Sequence, residues 1–102
     1  MPKRVYVATR DLLFRAKLGA TIAAAGGEIS RDDAACDLVV LELDDAGSVA
    51  RIGPLMSKGT PVLAYGAHVR ADLLSAARAA GATAVPNSQV VERLAGILAG
   101  RT

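Results

Sequence analysis

The chain has no tryptophan, and its only aromatics are Tyr6, Phe14 and Tyr65. Stacking platforms for single-stranded nucleic acid are excluded on that count. Cysteine occurs once, at Cys36, which rules out an internal disulfide and any cysteine-rich metal site. Its neighbour Asp37 would raise a thiol pKa rather than lower it, so Cys36 reads as a small packed residue. His68 is also alone, with no Cys or second His near it in sequence. It reads as a loop residue, not a metal ligand or general base, and a lone histidine argues against a catalytic triad around Ser57, Ser75 or Ser88. No apolar run reaches the roughly 18 residues of a membrane span. Neither GxGxxG nor GxxxxGK[ST] occurs, and Gly26-Gly27 follows a helical pattern where a phosphate cradle would precede one.

Charge of one sign is lacking too. Twelve Lys and Arg stand against ten Asp and Glu, and no basic cluster is longer than Lys3-Arg4. That distribution gives no footprint for a phosphate backbone, so nucleic acid is not an expected partner. What remains is a chain of 102 residues that is 52% hydrophobic, enough for one domain over residues 1–102 with one core and no room for a second. Abundant alanine suits helices packed close to a sheet. The apolar stretch after Lys3-Arg4 is interrupted by Arg10, Asp11, Arg15 and Lys17. It therefore does not read as a signal peptide, and the expected location is the cytoplasm.

Apolar periodicity divides the chain into alternating strands and helices. Strands are expected over residues 5–8, 28–30, 38–43, 61–65 and 82–85. Helices are expected over 12–25, stopped by Gly26-Gly27, over 49–56, over 69–80, stopped by Gly81, and from about 89 to 99 with Ser88 as N-cap. Pro54 is acceptable only near a first helical turn or as a kink. Strands joined by helical crossovers run parallel, which gives a five-stranded sheet with helices on both faces, although 31–35 is short for a full helix.

In such a fold the carboxyl ends of the strands share one edge, where ligands sit at the topological switch point. Thr9, Arg10 and Asp11 reach that edge after the first strand, Glu42 in the third, Gly66, Ala67 and His68 after the fourth, and Asn87 and Ser88 after the fifth. Glu42 is the residue to explain. It interrupts the apolar run CDLVVLELDD, and a carboxylate near the end of a covered strand is costly unless hydrated, protonated or paired.

The stretches RVYVATRDLLFR, CDLVVLELDD, TPVLAYGAHV and AARAAGATAVPNSQV, in that order and spacing, resemble a CheY-like receiver domain of the two-component response regulators over residues 3–99. The resemblance implies a three-layer α/β/α sandwich with strand order 2-1-3-4-5. It also implies a phosphorylation pocket whose parts are all altered here. The Mg²⁺-binding acidic pair falls at Thr9 and Arg10, the phosphoacceptor Asp at Glu42, the Ser or Thr at Gly66, and the Lys at Asn87 or Ser88. The aromatic expected in the fifth strand is replaced by Ala84 and Val85. Asp11 remains, but one carboxylate beside Arg10 is a poor home for a hard divalent cation. Phosphoryl transfer needs cationic groups to neutralise the developing charge, so no enzymatic activity, metal or cofactor is expected.

With the lysine gone, Arg10 is the candidate to pair with Glu42 and fill the vacated pocket. Gly66 is expected to give its loop a turn. The leading functional reading is a degenerate receiver acting as a phosphorylation-independent regulatory or protein-interaction module. By family analogy its partner would meet Arg70, Leu74, Arg78, Gln89 and Arg93; exposed aliphatics on the last helix would serve a homodimer equally well. The alternative is a small-molecule or nucleotide sensor, with Thr9, Arg10, Gly66, Ala67 and Asn87 around an anionic ligand.

Overall fold

The apolar run Leu38–Glu42 forms the central strand, β3, because four successive Leu and Val side chains can be buried only where both faces of a strand are covered. In the structure, a computed structural model that describes residues 3–100, it is flanked on both sides. The strands β1 (Arg4–Ala8), β2 (Glu28–Ser30), β3, β4 (Val62–Gly66) and β5 (Thr83–Pro86) form one five-stranded sheet in the order β2-β1-β3-β4-β5. Every pairing is parallel. The expected fold class is the one observed.

Alternation along each strand sends side chains to two cores. Val5, Val7, Leu38, Val40, Leu63 and Tyr65 pack beneath α1 (Leu12–Ala24) and α5 (Val90–Leu98), meeting Leu18, Ile22, Val90 and Leu94. Val39, Leu41, Val62, Ala64 and Ala84 face the other way, toward α3 (Ile52–Ser57) and α4 (Ala71–Ala79) through Ile52, Leu55, Leu73, Leu74 and Ala77. A leucine fully buried in this way contributes about 1.5–3 kcal/mol.

Local chemistry sets the ends of α1. Asp11 is its N-cap, with Oδ1 accepting from the amides of Leu13 (2.9 Å) and Phe14 (3.1 Å). At the other end Gly26 takes φ 79°, a left-handed conformation natural to glycine, and the Gly27 amide returns to the Ile22 carbonyl at 2.9 Å.

Two expectations fail in the helices. The single helix expected over 49–56 is two short ones, α2 (Ala46–Ala50) and α3, which meet at Arg51. Asp45 caps α2 by accepting from the Ser48 amide at 2.9 Å, while the Ser48 hydroxyl accepts from the Asp45 amide. Pro54 lies in the first turn of α3, where its missing N–H costs nothing. Ser88 caps no helix: Asn87–Gln89 make a 3₁₀ turn, and α5 starts at Val90 after Gln89.

Candidate functional site

The carboxyl ends of β1 and β3 lie side by side because Ala8 is in register with Leu41. The next residue of each strand therefore meets the other across the edge. Thr9, only 8% exposed, donates its hydroxyl to Glu42 Oε1 at 2.8 Å, and the backbone N–H of Arg10 donates to the same oxygen at 2.9 Å. The Thr9 oxygen in turn accepts from the Asp11 amide at 3.1 Å, while the Arg15 guanidinium donates to the Thr9 carbonyl at 2.6 Å.

Glu42 is thus balanced, but not as expected. Among the described residues the one ion pair within 4 Å is Arg70–Asp72, and the Arg10 side chain is exposed. The partners of Glu42 are a hydroxyl and a main-chain amide. A half-buried carboxylate that accepts such bonds and still borders an open cleft has no need of a counter-ion. The expected Arg10–Glu42 ion pair is replaced by this arrangement.

A cleft of about 370 Å³ opens beside Glu42, lined by Thr9, Arg10, Asp44, Asp45, Ser48 and Arg51 among others. Asp44, Asp45, Ser48 and Arg51 were not singled out from sequence; the Asp45-x-x-Ser48 capping pair was the available signal. Of the residues expected to converge, Thr9, Arg10 and Glu42 do so. Asp11 sits next to them but commits Oδ1 to the cap of α1. Ala67, Asn87 and Ser88 do not line this cleft.

Gly66 is the last residue of β4 and does not form the loop turn expected of it. Its role is close approach: a Cβ there would lie 3.1 Å from the Leu43 carbonyl oxygen and 3.2 Å from the Leu43 Cβ. A serine or threonine at this position would press on the backbone leaving β3.

Tyr65 is in register with Glu42 and 1% exposed, its ring centroid 5.2 Å from that of Phe14. Its hydroxyl has no formed hydrogen bond. Burial pushes its pKa up to about 12, with the charges of Glu42 and Asp11 adding to the rise and the Thr9 side chain and Arg15 opposing it. The Cys36 thiol is also pushed up, first by burial and then by Asp33 and Asp37; its Sγ donates to the Asp33 carbonyl at 3.3 Å.

The arrangement does not fit a divalent cation. The two edge positions after β1 present a hydroxyl bonded to Glu42 and an exposed arginine, and among the described residues no three His, Cys, Asp or Glu side chains are grouped to hold a metal ion.

The expected partner surface is altered as well. Leu74 is buried, 5% exposed, because the register of α4 turns Leu73, Leu74 and Ala77 onto the sheet. Arg78 donates through Nε (3.2 Å) and Nη2 (2.8 Å) to the Ala84 carbonyl, and Arg70 is held by Asp72, which raises its pKa and lowers that of Asp72. Gln89 and Arg93 are exposed. The last helix presents no exposed large aliphatic: Val90 and Leu94 are buried, and Val91, Ile97 and Leu98 are partly covered. The most exposed large apolar side chains are instead Leu12 (79%), Val69 (75%) and Leu13 (63%), in the segments that follow β1 and β4, with Ile29 and Met56 exposed elsewhere.

No protein-family model and no curated protein matches the chain. Solved structures do. A response regulator from Thermotoga maritima superposes with TM-score 0.79 at 16% identity, covering 98% of this chain and 97% of that one. The BeF3-activated DrrB receiver domain gives TM-score 0.79 at 15% identity over 98% and 97% of the two chains. A response regulator protein from Burkholderia multivorans gives 0.69 at 24% identity over 98% and 94%. Together with the strand order, these likenesses show that the chain has the fold of response-regulator receiver domains.

Proposed function

We propose that this chain is a degenerate receiver, a regulatory module that acts by binding another protein, or a second copy of itself, without being phosphorylated. The observation that carries the proposal is the state of Glu42. Its Oε1 is already engaged by the Thr9 hydroxyl and the Arg10 amide, at the positions where the resemblance calls for metal-binding acids. Phosphoryl transfer relies on a metal ion and well-placed cations to neutralise the charge on the transferring oxygens; among the described residues no metal cage forms, and no lysine lines the cleft beside Glu42. The close fit of Gly66 against Leu43 supports the same reading, since a serine or threonine there would have to push Leu43 back by a few tenths of an ångström. The expected setting is the cytoplasm. Incubation with acetyl phosphate and Mg²⁺, followed by intact mass, tests the proposal. The expected result is an unchanged mass, and a phosphoryl adduct mapped to Glu42 overturns it.

A second reading rests on the cleft itself. Its volume, with Arg10 and Arg51 among the lining residues beside Glu42, Asp44 and Asp45, suits a small polar ligand that offers an anionic group to the arginines and hydrogen-bond donors to the carboxylates, such as a nucleotide with its phosphate and hydroxyl groups. Thermal-shift measurements with nucleotides and metabolites separate the two. A ligand at about one hundred times its Kd stabilises by about 2.7 kcal/mol, and an Arg51→Ala variant would lose that gain.

A further inference from the structure

We propose that the opposite edge of the sheet carries a second site, which binds a small monocarboxylate with an apolar body. The site lies at the amino ends of β3, β4 and β5, remote from Glu42, and does not depend on either functional reading above. A crevice of about 300 Å³ opens there between the strand starts and the face of α5 that carries Arg93 and Ile97. Its inner wall is preformed by Leu38 and Leu63, which are 4% and 0% exposed and face α5 from the sheet. Ile97 closes the helix side, and Pro61 and Thr83 complete the mouth.

Charge at the rim decides what fits. Lys3 and Arg93 both line the crevice, and among the described residues neither takes part in an ion pair within 4 Å. Asp37 is the one acid in the lining, and its Oδ2 already accepts from the Arg4 amide at 2.9 Å. Two cations against one partly engaged carboxylate leave a net positive rim, and the planar guanidinium of Arg93 offers paired donors that match a carboxylate. The cavity is at the small end for ligand sites, so the apolar part is a short aliphatic chain or a single ring. The stems of Lys3 and Arg93 can lie along the apolar wall while their heads hold the anion at the mouth.

Titration of the whole chain with hexanoate, followed by amide chemical shifts, tests this. The expected result is saturable movement of Leu38, Leu63, Thr83 and Ile97 with a Kd on the order of 1 mM or tighter. Hexanamide, the neutral analogue, is expected to bind about tenfold more weakly, the worth of one charge-assisted hydrogen bond. Arg93→Gln is expected to raise the Kd for hexanoate by about tenfold, whereas Arg4→Gln, on the same edge but outside the crevice, is expected to leave it within about twofold. The inference is overturned if no saturable shift appears by about 20 mM hexanoate, if hexanamide binds equally well, or if the shifts cluster around Glu42.

Discussion

Replacing Thr9 with Val keeps the shape of a buried side chain and deletes its oxygen, which makes it the sharpest probe of how Glu42 is held. The lost hydroxyl donates to a carboxylate at 2.8 Å, a charge-assisted bond contributing about 1.5–3 kcal/mol. It also accepts from the Asp11 amide at 3.1 Å, a neutral bond contributing about 0.5–1.5 kcal/mol. Part of this is recovered, because Glu42 retains the Arg10 amide and water can reach it through the cleft. The expected net loss is about 2 kcal/mol, or a fall in Tm of about 8–16 °C for a domain of this size. Thr9→Ser should restore most of it. Arg10→Ala, by contrast, leaves the bonding amide in place and is expected to cost no more than about 0.5 kcal/mol. Urea unfolding with an unchanged m-value is the assay. An Arg10→Ala loss as large as that of Thr9→Val would mean that the guanidinium balances Glu42 after all, and the reasoning here would be wrong.

Gly66→Thr, the change that restores a hydroxyl to the end of β4, is expected to destabilise by about 1–3 kcal/mol because its Cβ would press on the Leu43 carbonyl at 3.1 Å; a neutral result in urea unfolding would show that β3 yields easily there. In a Tyr6→Phe background the tyrosinate absorbance should titrate near 12, well above the ordinary tyrosine value. Because the folded-state pKa is the raised one, the stability from Tyr65 is fully present below about pH 10 and is lost as pH climbs toward 12, by about 2–3 kcal/mol in all; titration near pH 10 in the folded protein would contradict this. Arg78→Leu is expected to cost about 1–2 kcal/mol by thermal or urea unfolding, since β5 is an edge strand and the guanidinium supplies donors to the Ala84 carbonyl; Lys58→Leu, exposed and without such bonds, serves as the neutral comparison.

The strands were legible because their apolar runs have no other use: Leu38 to Leu41 can be satisfied only between two layers, and the observed β3 is buried along that whole run. Helix limits followed where glycine or a capping acid marks them, as at Gly26 and Asp11. They failed around Arg51, where Ala46, Gly47 and Ser48 give little apolar period and the helix is nucleated by the Asp45–Ser48 cap. The carboxyl-edge position of Thr9, Arg10 and Glu42 was also readable, but the bonding among them was not. A side-chain alphabet suggests a guanidinium opposite a carboxylate, whereas the donor from residue 10 is its main-chain N–H, which every residue except proline possesses. Gly66 was misread for a related reason, since close approach by Leu43 is a contact between distant segments and leaves no local pattern. Leu74 was assigned to a partner although its spacing with Leu73 and Ala77 already placed it on the inner stripe of α4.

The contact between Phe14 and Tyr65 has an optical consequence. With no indole in the chain and the only other phenol, Tyr6, half-exposed on the far side of the sheet, the asymmetric surroundings of Tyr65 should dominate the near-ultraviolet circular dichroism. The ring packs against Phe14 at the start of α1, so any repacking of that corner would alter its ellipticity. The molecule therefore carries an intrinsic, label-free chromophore beside the corner where Thr9 and Glu42 meet.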